Sequence, residues 1–135
     1  MASEFIWPVR VYYEDTDAGG VVYYANYLRY LERARTEWLR ALGFGQQALM
    51  AGSGILFAVR HVEIDYLQPA RFDDELRVEA QVEKLSKVSL TFAQRIVRPP
   101  DTVLCTARVK VACLDSESFR PRAIPPDIRD MIGAA

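Results

Sequence analysis

The segment Glu14-Asp15-Thr16-Asp17-Ala18-Gly19-Gly20-Val21-Val22-Tyr23 sets three acids and two glycines directly ahead of a helical pattern. A carboxylate serves chemistry either as a nucleophile or as a general base. A helix start presents unpaired backbone N–H groups and a partial positive charge, which suit an anion or a carbonyl oxygen that becomes negative during reaction. Gly19 and Gly20 let a ligand approach the main chain and permit positive φ, so the loop can fold back and aim a carboxylate at that helix start. Asp17 is the candidate carboxylate. The same residues also suit plain architecture, since acids cap helices and Asp and Gly form turns. The local pattern alone leaves both readings open.

Other chemistries fit less well. With Asp15 and Asp17 at positions 1 and 3 of a calcium loop, Gly19 and Asn26 fall where an acid or amide and a bidentate Glu are wanted. No second acidic cluster supplies the missing ligands, so neither a metal nor another cofactor is expected. There is no phosphate-loop Lys, and Gly52-Ser53-Gly54 lacks the spacing of a nucleophile elbow. His61 is the sole histidine, with no recognisable nucleophile or acid partner, and reads as structural. Cys105 and Cys113 share one apparent strand, too far apart for a disulfide if that strand is regular, and read as buried thiols. Lys84 and Lys87, beside a turn at Ser86, are candidates for the phosphates of an anionic ligand, although exposed lysines are more often simply solvated.

The acidic loop needs a scaffold. A strand from Phe5 to Tyr13 precedes it, and a helix from about Ala25 to Leu42 follows. Tyr24, Tyr27, Leu28, Leu31, Ala34, Trp38 and Leu42 share one side of that helix, Asn26, Arg29, Arg33, Thr36, Glu37 and Arg40 the other, and Gly43 is the stop. Its apolar arc covers roughly half the circumference, wide enough to be deeply embraced. Arg35 falls inside that arc and should meet an acid, either Glu32 or one from another strand or subunit. Gln46 to Ala51 forms a short helical turn. Four alternating runs follow, Leu56 to Leu67, Glu75 to Leu85, Lys87 to Val97 and Thr102 to Leu114, joined by short connections that favour an antiparallel sheet. Ser116 to Pro126 is irregular, and a final turn begins at Pro126.

Half of the 135 residues are hydrophobic, enough for one ordinary domain spanning 1–135, and the 17 basic and 18 acidic side chains nearly cancel. That balance argues against a general nucleic-acid surface. Met1 to Pro8 lack a basic and then apolar signal pattern, and no run approaches the ~18 apolar residues of a membrane span, so a soluble cytoplasmic protein with no membrane insertion is expected. One helix and one curved sheet of about five strands, burying each other, make an α+β domain.

Tyr13 to Tyr27, Glu32-Arg33-Ala34-Arg35, Phe92-Ala93-Gln94-Arg95, Pro69 to Asp74 and Pro121 to Pro125 together resemble the hotdog-fold acyl-CoA thioesterases. The closest likeness is to the YbgC-like branch associated with the Tol-Pal system; the 4-hydroxybenzoyl-CoA thioesterases are similar. The resemblance implies hydrolysis of an acyl-CoA thioester with Asp17 in the catalytic position and the backbone N–H of Tyr24 polarising the carbonyl. Gly19, Gly20, Val22 and Tyr23 then contact substrate. It further implies dimers, frequently paired into tetramers, with acyl-CoA at the subunit interface, and it brings the Tol-Pal system or an acyl carrier protein into view as partners. Many YbgC-like chains carry His where Tyr24 stands, whereas the hydroxybenzoyl branch has an aromatic there. A hotdog hydratase is disfavoured because its His position is here Val22. A non-catalytic acyl-binding module, the second class of reading, would keep helix and sheet but lose the acidic loop.

Overall fold

The computed structural model describes residues 4–134, so Met1 to Ser3 of the expected leaderless start lie outside the described residues. Five strands make one antiparallel sheet: β1 (Phe5–Arg10), β2 (Ile55–Tyr66), β3 (Glu75–Leu85), β4 (Ser89–Arg98) and β5 (Thr102–Asp115). Their spatial order is β1-β3-β4-β5-β2, so the chain crosses from one edge of the sheet to the other between β1 and β2. Helices α1 (Asn26–Ala41) and α2 (Gln46–Gly52) make that crossing, and α3 (Pro126–Ala134) closes the chain.

Side-chain alternation decides which face of the sheet receives α1. On β3, Leu76, Val78, Ala80 and Val82 are buried between polar neighbours, and on β4 Leu90, Phe92 and Ile96 are buried as well. Tyr30, Leu31, Ala34, Trp38 and Leu39 of α1 fill the hollow they line, and the Trp38 and Phe92 rings meet edge to face at 5.1 Å. Gln94 interrupts this apolar wall. It is 2% exposed, and its Nε2 donates to the Leu31 carbonyl at 3.1 Å, tying sheet to helix. On the opposite face Glu79 is buried beside Arg95, whose Nε and Nη2 reach its two oxygens at 2.6 and 3.1 Å.

Several expected boundaries move. β1 ends at Arg10 rather than Tyr13, because Tyr13–Asp15 winds into a single 3-10 turn that starts the acidic loop. The final turn grows into α3, whose Ile128 and Ile132 are buried against the core. Leu28 and Tyr24, placed on the buried side by periodicity, remain 40% and 62% exposed. α2 docks through Gln46, whose amide both accepts from and donates to the Phe57 main chain at 3.1 and 3.3 Å, in the manner of an added strand. Both cysteines are free and buried, and burial pushes the Cys105 thiol up to about 12. Among the described residues no helix is long and apolar enough to cross a membrane.

Candidate active site

The acidic loop is a short hairpin. The Asp17 amide donates to the Val21 carbonyl at 2.9 Å, the Gly20 amide donates to the Asp17 carbonyl at 3.0 Å, and Thr16 bridges Val22. Gly20 has φ +79°, a conformation a side chain strains to adopt. Gly19 matters for room: its amide donates to Asp17 Oδ1 at 2.8 Å, and a Cβ there would come within 3.2 Å of that oxygen. One Asp17 oxygen is thereby held by the loop's own main chain. The other accepts no hydrogen bond among the described residues, and the whole carboxylate is exposed in the single chain.

The hairpin is tied to the helix start and to the loop before β3. Val22 N–H reaches the Ala70 carbonyl at 2.8 Å and Val21 bridges Arg71. Tyr27 of α1 accepts the Ala70 amide on its hydroxyl at 3.0 Å. Tyr23 N–H donates to the Asp15 carbonyl at 2.9 Å, and Asn26 N–H to the Tyr23 carbonyl at 2.8 Å. Between these two engaged amides, the Tyr24 amide has no partner among the described residues. Its carbonyl accepts the Tyr66 hydroxyl of β2 at 3.0 Å. The exposed Tyr23 and Tyr24 rings sit 4.9 Å apart, and the Tyr23 hydroxyl titrates above its ordinary value because of neighbouring Tyr24 first, with the Asp17 charge adding to the effect.

Asp15 and Asn26, which the residue pattern did not single out, hold this arrangement together. Asp15 is 7% exposed, and its oxygens accept the Tyr12 amide at 2.8 Å and Asn26 Nδ2 at 2.7 Å. Burial alone raises a carboxyl, but the hydrogen bonds from Tyr12 and Asn26, with Tyr30 nearby and the Arg33 charge, outweigh it and hold Asp15 below its ordinary value. The buried Tyr30 hydroxyl lies near the same carboxylate without a well-formed hydrogen bond among the described residues. The signal in the sequence was an amide in the first helical turn, eleven residues after an acid. Periodicity had assigned Asn26 to the solvated side, yet it is 7% exposed.

Among the described residues of one subunit Arg35 forms no ion pair: its Nη1 donates to Gln94 Oε1 at 3.0 Å, while the Glu32 carboxylate takes the Thr36 hydroxyl and acts on Arg35 as a nearby charge. Glu32 and Thr36 are one helical turn apart, which accounts for their pairing. Lys84 and Lys87 are exposed and do not join Asp17 within one subunit. β3 pairs its Glu75 end with Arg10, beside the acidic loop, and then runs roughly 30 Å to the turn that carries the lysines. His61 is a surface residue on β2 with Nε2 at 3.2 Å from Glu63. No group of three metal-ligating acids, histidines or cysteines exists among the described residues.

An antiparallel five-stranded sheet folded round a long central helix, with an acid-bearing hairpin leading into that helix, defines the hotdog thioesterase class. The chain belongs to the thioesterase-like superfamily, whose family model matches residues 11–132. It is 52% identical over 124 residues to the acyl-CoA thioester hydrolase YbgC of Escherichia coli O157:H7, covering 92% of each chain. It is 48% identical over 125 residues to the acyl-CoA thioesterase YbgC of Haemophilus influenzae, covering 93% of this chain and 91% of that one. A solved structure of a probable thioesterase from Bartonella henselae superposes with a TM-score of 0.87 at 36% identity, over 91% of this chain and all of the other.

Proposed function

We propose that this chain is a cytoplasmic acyl-CoA thioester hydrolase in which Asp17 carries the chemistry and the Tyr24 amide receives the oxyanion. The observation that carries the reading is the pairing of a half-engaged carboxylate with an unspent amide on one rigid hairpin and helix start. Asp17 Oδ1 is occupied by Gly19 N–H, which leaves the second oxygen for a carbonyl carbon or a water. As a nucleophile it would form an acyl anhydride and release CoA thiolate, and water would then cleave the anhydride. As a base it would take a proton from water that attacks the thioester directly. Either route builds negative charge on the carbonyl oxygen, where the Tyr24 amide and the helix start stabilise it; one such donor is typically worth ~3 kcal/mol of barrier. Family membership and the names of the YbgC relatives support acyl-CoA as the substrate.

Gly19, Gly20, Val22 and Tyr23 would line the approach to the thioester. The exposure of Asp17 in one subunit, together with the outer edge of twelve-residue β2, which pairs with no strand among the described residues, supports a homo-oligomer whose second copy walls the site. Lys84 and Lys87 would reach CoA phosphates only from such a second copy.

Asp17→Asn tests the assignment. Turnover of acyl-CoA should fall by at least about a thousandfold with the fold unchanged, since the variant loses both the nucleophile and the base. Hydrolysis at the parental rate by the purified variant would refute it. In single turnover in labelled water, oxygen entering Asp17 identifies the covalent route with water attacking the aspartyl carbon of the anhydride.

A further inference from the structure

Tyr66 is the last residue of β2, and its hydroxyl reaches a residue 42 positions away in the chain to donate to the Tyr24 carbonyl at 3.0 Å. Its ring is held on two sides, meeting Tyr27 at 5.3 Å and 68° and Tyr24 at 6.3 Å and 89°. Burial first, then Cys105, keeps the Tyr66 phenol above its ordinary value, so the hydroxyl stays protonated and remains a donor at neutral pH.

The backbone at the helix start gives that contact its meaning. Asn26 N–H donates to the Tyr23 carbonyl at 2.8 Å, closing a four-residue turn with Tyr24 and Ala25 at its centre. Leu28 N–H bonds the Ala25 carbonyl at 3.2 Å, one residue short of Tyr24. The helix therefore leaves the Tyr24 carbonyl free, and the Tyr66 hydroxyl is the partner it finds among the described residues. In a turn of this kind no main-chain bond holds the peptide between the two central residues, and the common turn types differ by its rotation through roughly half a circle. Ala25 has φ −69° and ψ −20°, which fixes one of those orientations. Tyr24 thus sits between two peptide planes, the one before it held at its oxygen by Asn26 N–H and the one after it by Tyr66. With the second plane released, rotation about the Cα bonds of Tyr24 is restrained on one side only, and its unpartnered N–H can swing off line.

We propose that Tyr66 is a positioning residue for the hydrolysis, its hydroxyl locking the Tyr24–Ala25 peptide so that the Tyr24 N–H keeps its line to the reacting carbonyl oxygen. That role rests on the proposed oxyanion donor, the Tyr24 amide. A donor aimed beforehand needs no reorganisation while charge develops, whereas a wandering one lowers the rate of the chemical step. The hydroxyl holds main chain and not substrate, so its loss should spare binding.

Tyr66→Phe keeps the ring and deletes the hydroxyl. Tyr66 is 44% exposed, so water can take its place on the Tyr24 carbonyl and the fold should persist. With the acyl-CoA that the parent turns over fastest among short, long and aromatic chains, kcat should fall about tenfold and KM stay within about twofold, the mark of an interaction made in the transition state. In isotope-labelled protein without substrate, the Ala25 amide resonance should shift, because its peptide oxygen loses the bond, while amides along β3 stay in place. Asp17→Asn is measured beside it. An inactive Asp17→Asn with Tyr66→Phe at the parental kcat overturns the role of Tyr66 and leaves the hydrolase reading standing; Asp17→Asn at the parental rate removes the hydrolase reading and this one with it. A raised KM at unchanged kcat would make Tyr66 a substrate contact and overturn the proposal, as would an unmoved Ala25 resonance.

Discussion

Replacing Asp15 with Asn probes how the acidic loop is held without touching the Asp17 carboxylate. The side chain keeps its shape but exchanges one acceptor oxygen for an NH2 group. Two donors now converge on Asp15, the Tyr12 amide at 2.8 Å and Asn26 Nδ2 at 2.7 Å. In the variant one of them must face another donor. A buried donor left unsatisfied costs ~1–3 kcal/mol, and the remaining bond loses its charge assistance. Because Tyr12 is 60% exposed and its amide is open to rehydration, the lower half of the summed range applies, about 2–3 kcal/mol. For a domain of this size that lowers Tm by roughly 6–10 °C. Asp15 titrates below its ordinary value in the folded state, so its stabilisation is complete above the unfolded-state pKa of about 3.9 and fades as pH falls through the folded value. The difference between parent and variant, full at pH 7, should therefore shrink below about pH 4. Thermal melts across pH 3–8 measure it. Adding Asn26→Asp reverses the pair, since residue 15 then donates to residue 26 and the new acid sits in the first turn of α1, where the helix dipole favours it. The double variant should recover at least about 1 kcal/mol relative to the sum of the singles. An Asp15→Asn melt within about 2 °C of the parent at pH 7, or strictly additive singles, would refute the network.

Gly19→Ala should leave stability nearly intact yet lower kcat by about tenfold or more. The added Cβ lands 3.2 Å from Asp17 Oδ1 and must re-aim the carboxylate; steady-state thiol release reads it, and a parental kcat would show that the orientation is not set there. Sedimentation equilibrium should find a dimer or larger species, because β2 is an edge strand whose outer side, apart from the Gln46 contact at Phe57, pairs with no strand among the described residues. A strict monomer with full activity would remove the second copy from the site.

Strand alternation is a local property, and the sequence displayed it clearly: Leu76, Val78, Ala80 and Val82 declare a buried face without reference to anything else. β3 accordingly begins and ends where expected. The acidic loop was legible for a different reason, since acids beside Gly19-Gly20 are turn formers and glycine allows the positive φ that a tight turn needs. What stayed hidden depends on partners distant in sequence. Asn26 reads as solvated until Asp15 folds under it, and Arg35 calls for an acid until Gln94, 59 residues away, supplies an amide. Periodicity also counted Tyr24 and Leu28 as buried, although one subunit offers them no cover.

Asp17 is gripped by the amide of a residue two positions further along, and not by any side chain borrowed from the sheet. Its aim is thus inherited with a few consecutive codons. Mutations elsewhere in the sheet can accumulate while the Asp17 carboxylate keeps its direction. A hairpin of this kind is portable: grafted ahead of another helix with the Asp15 and Asn26 struts included, it should arrive already pointed.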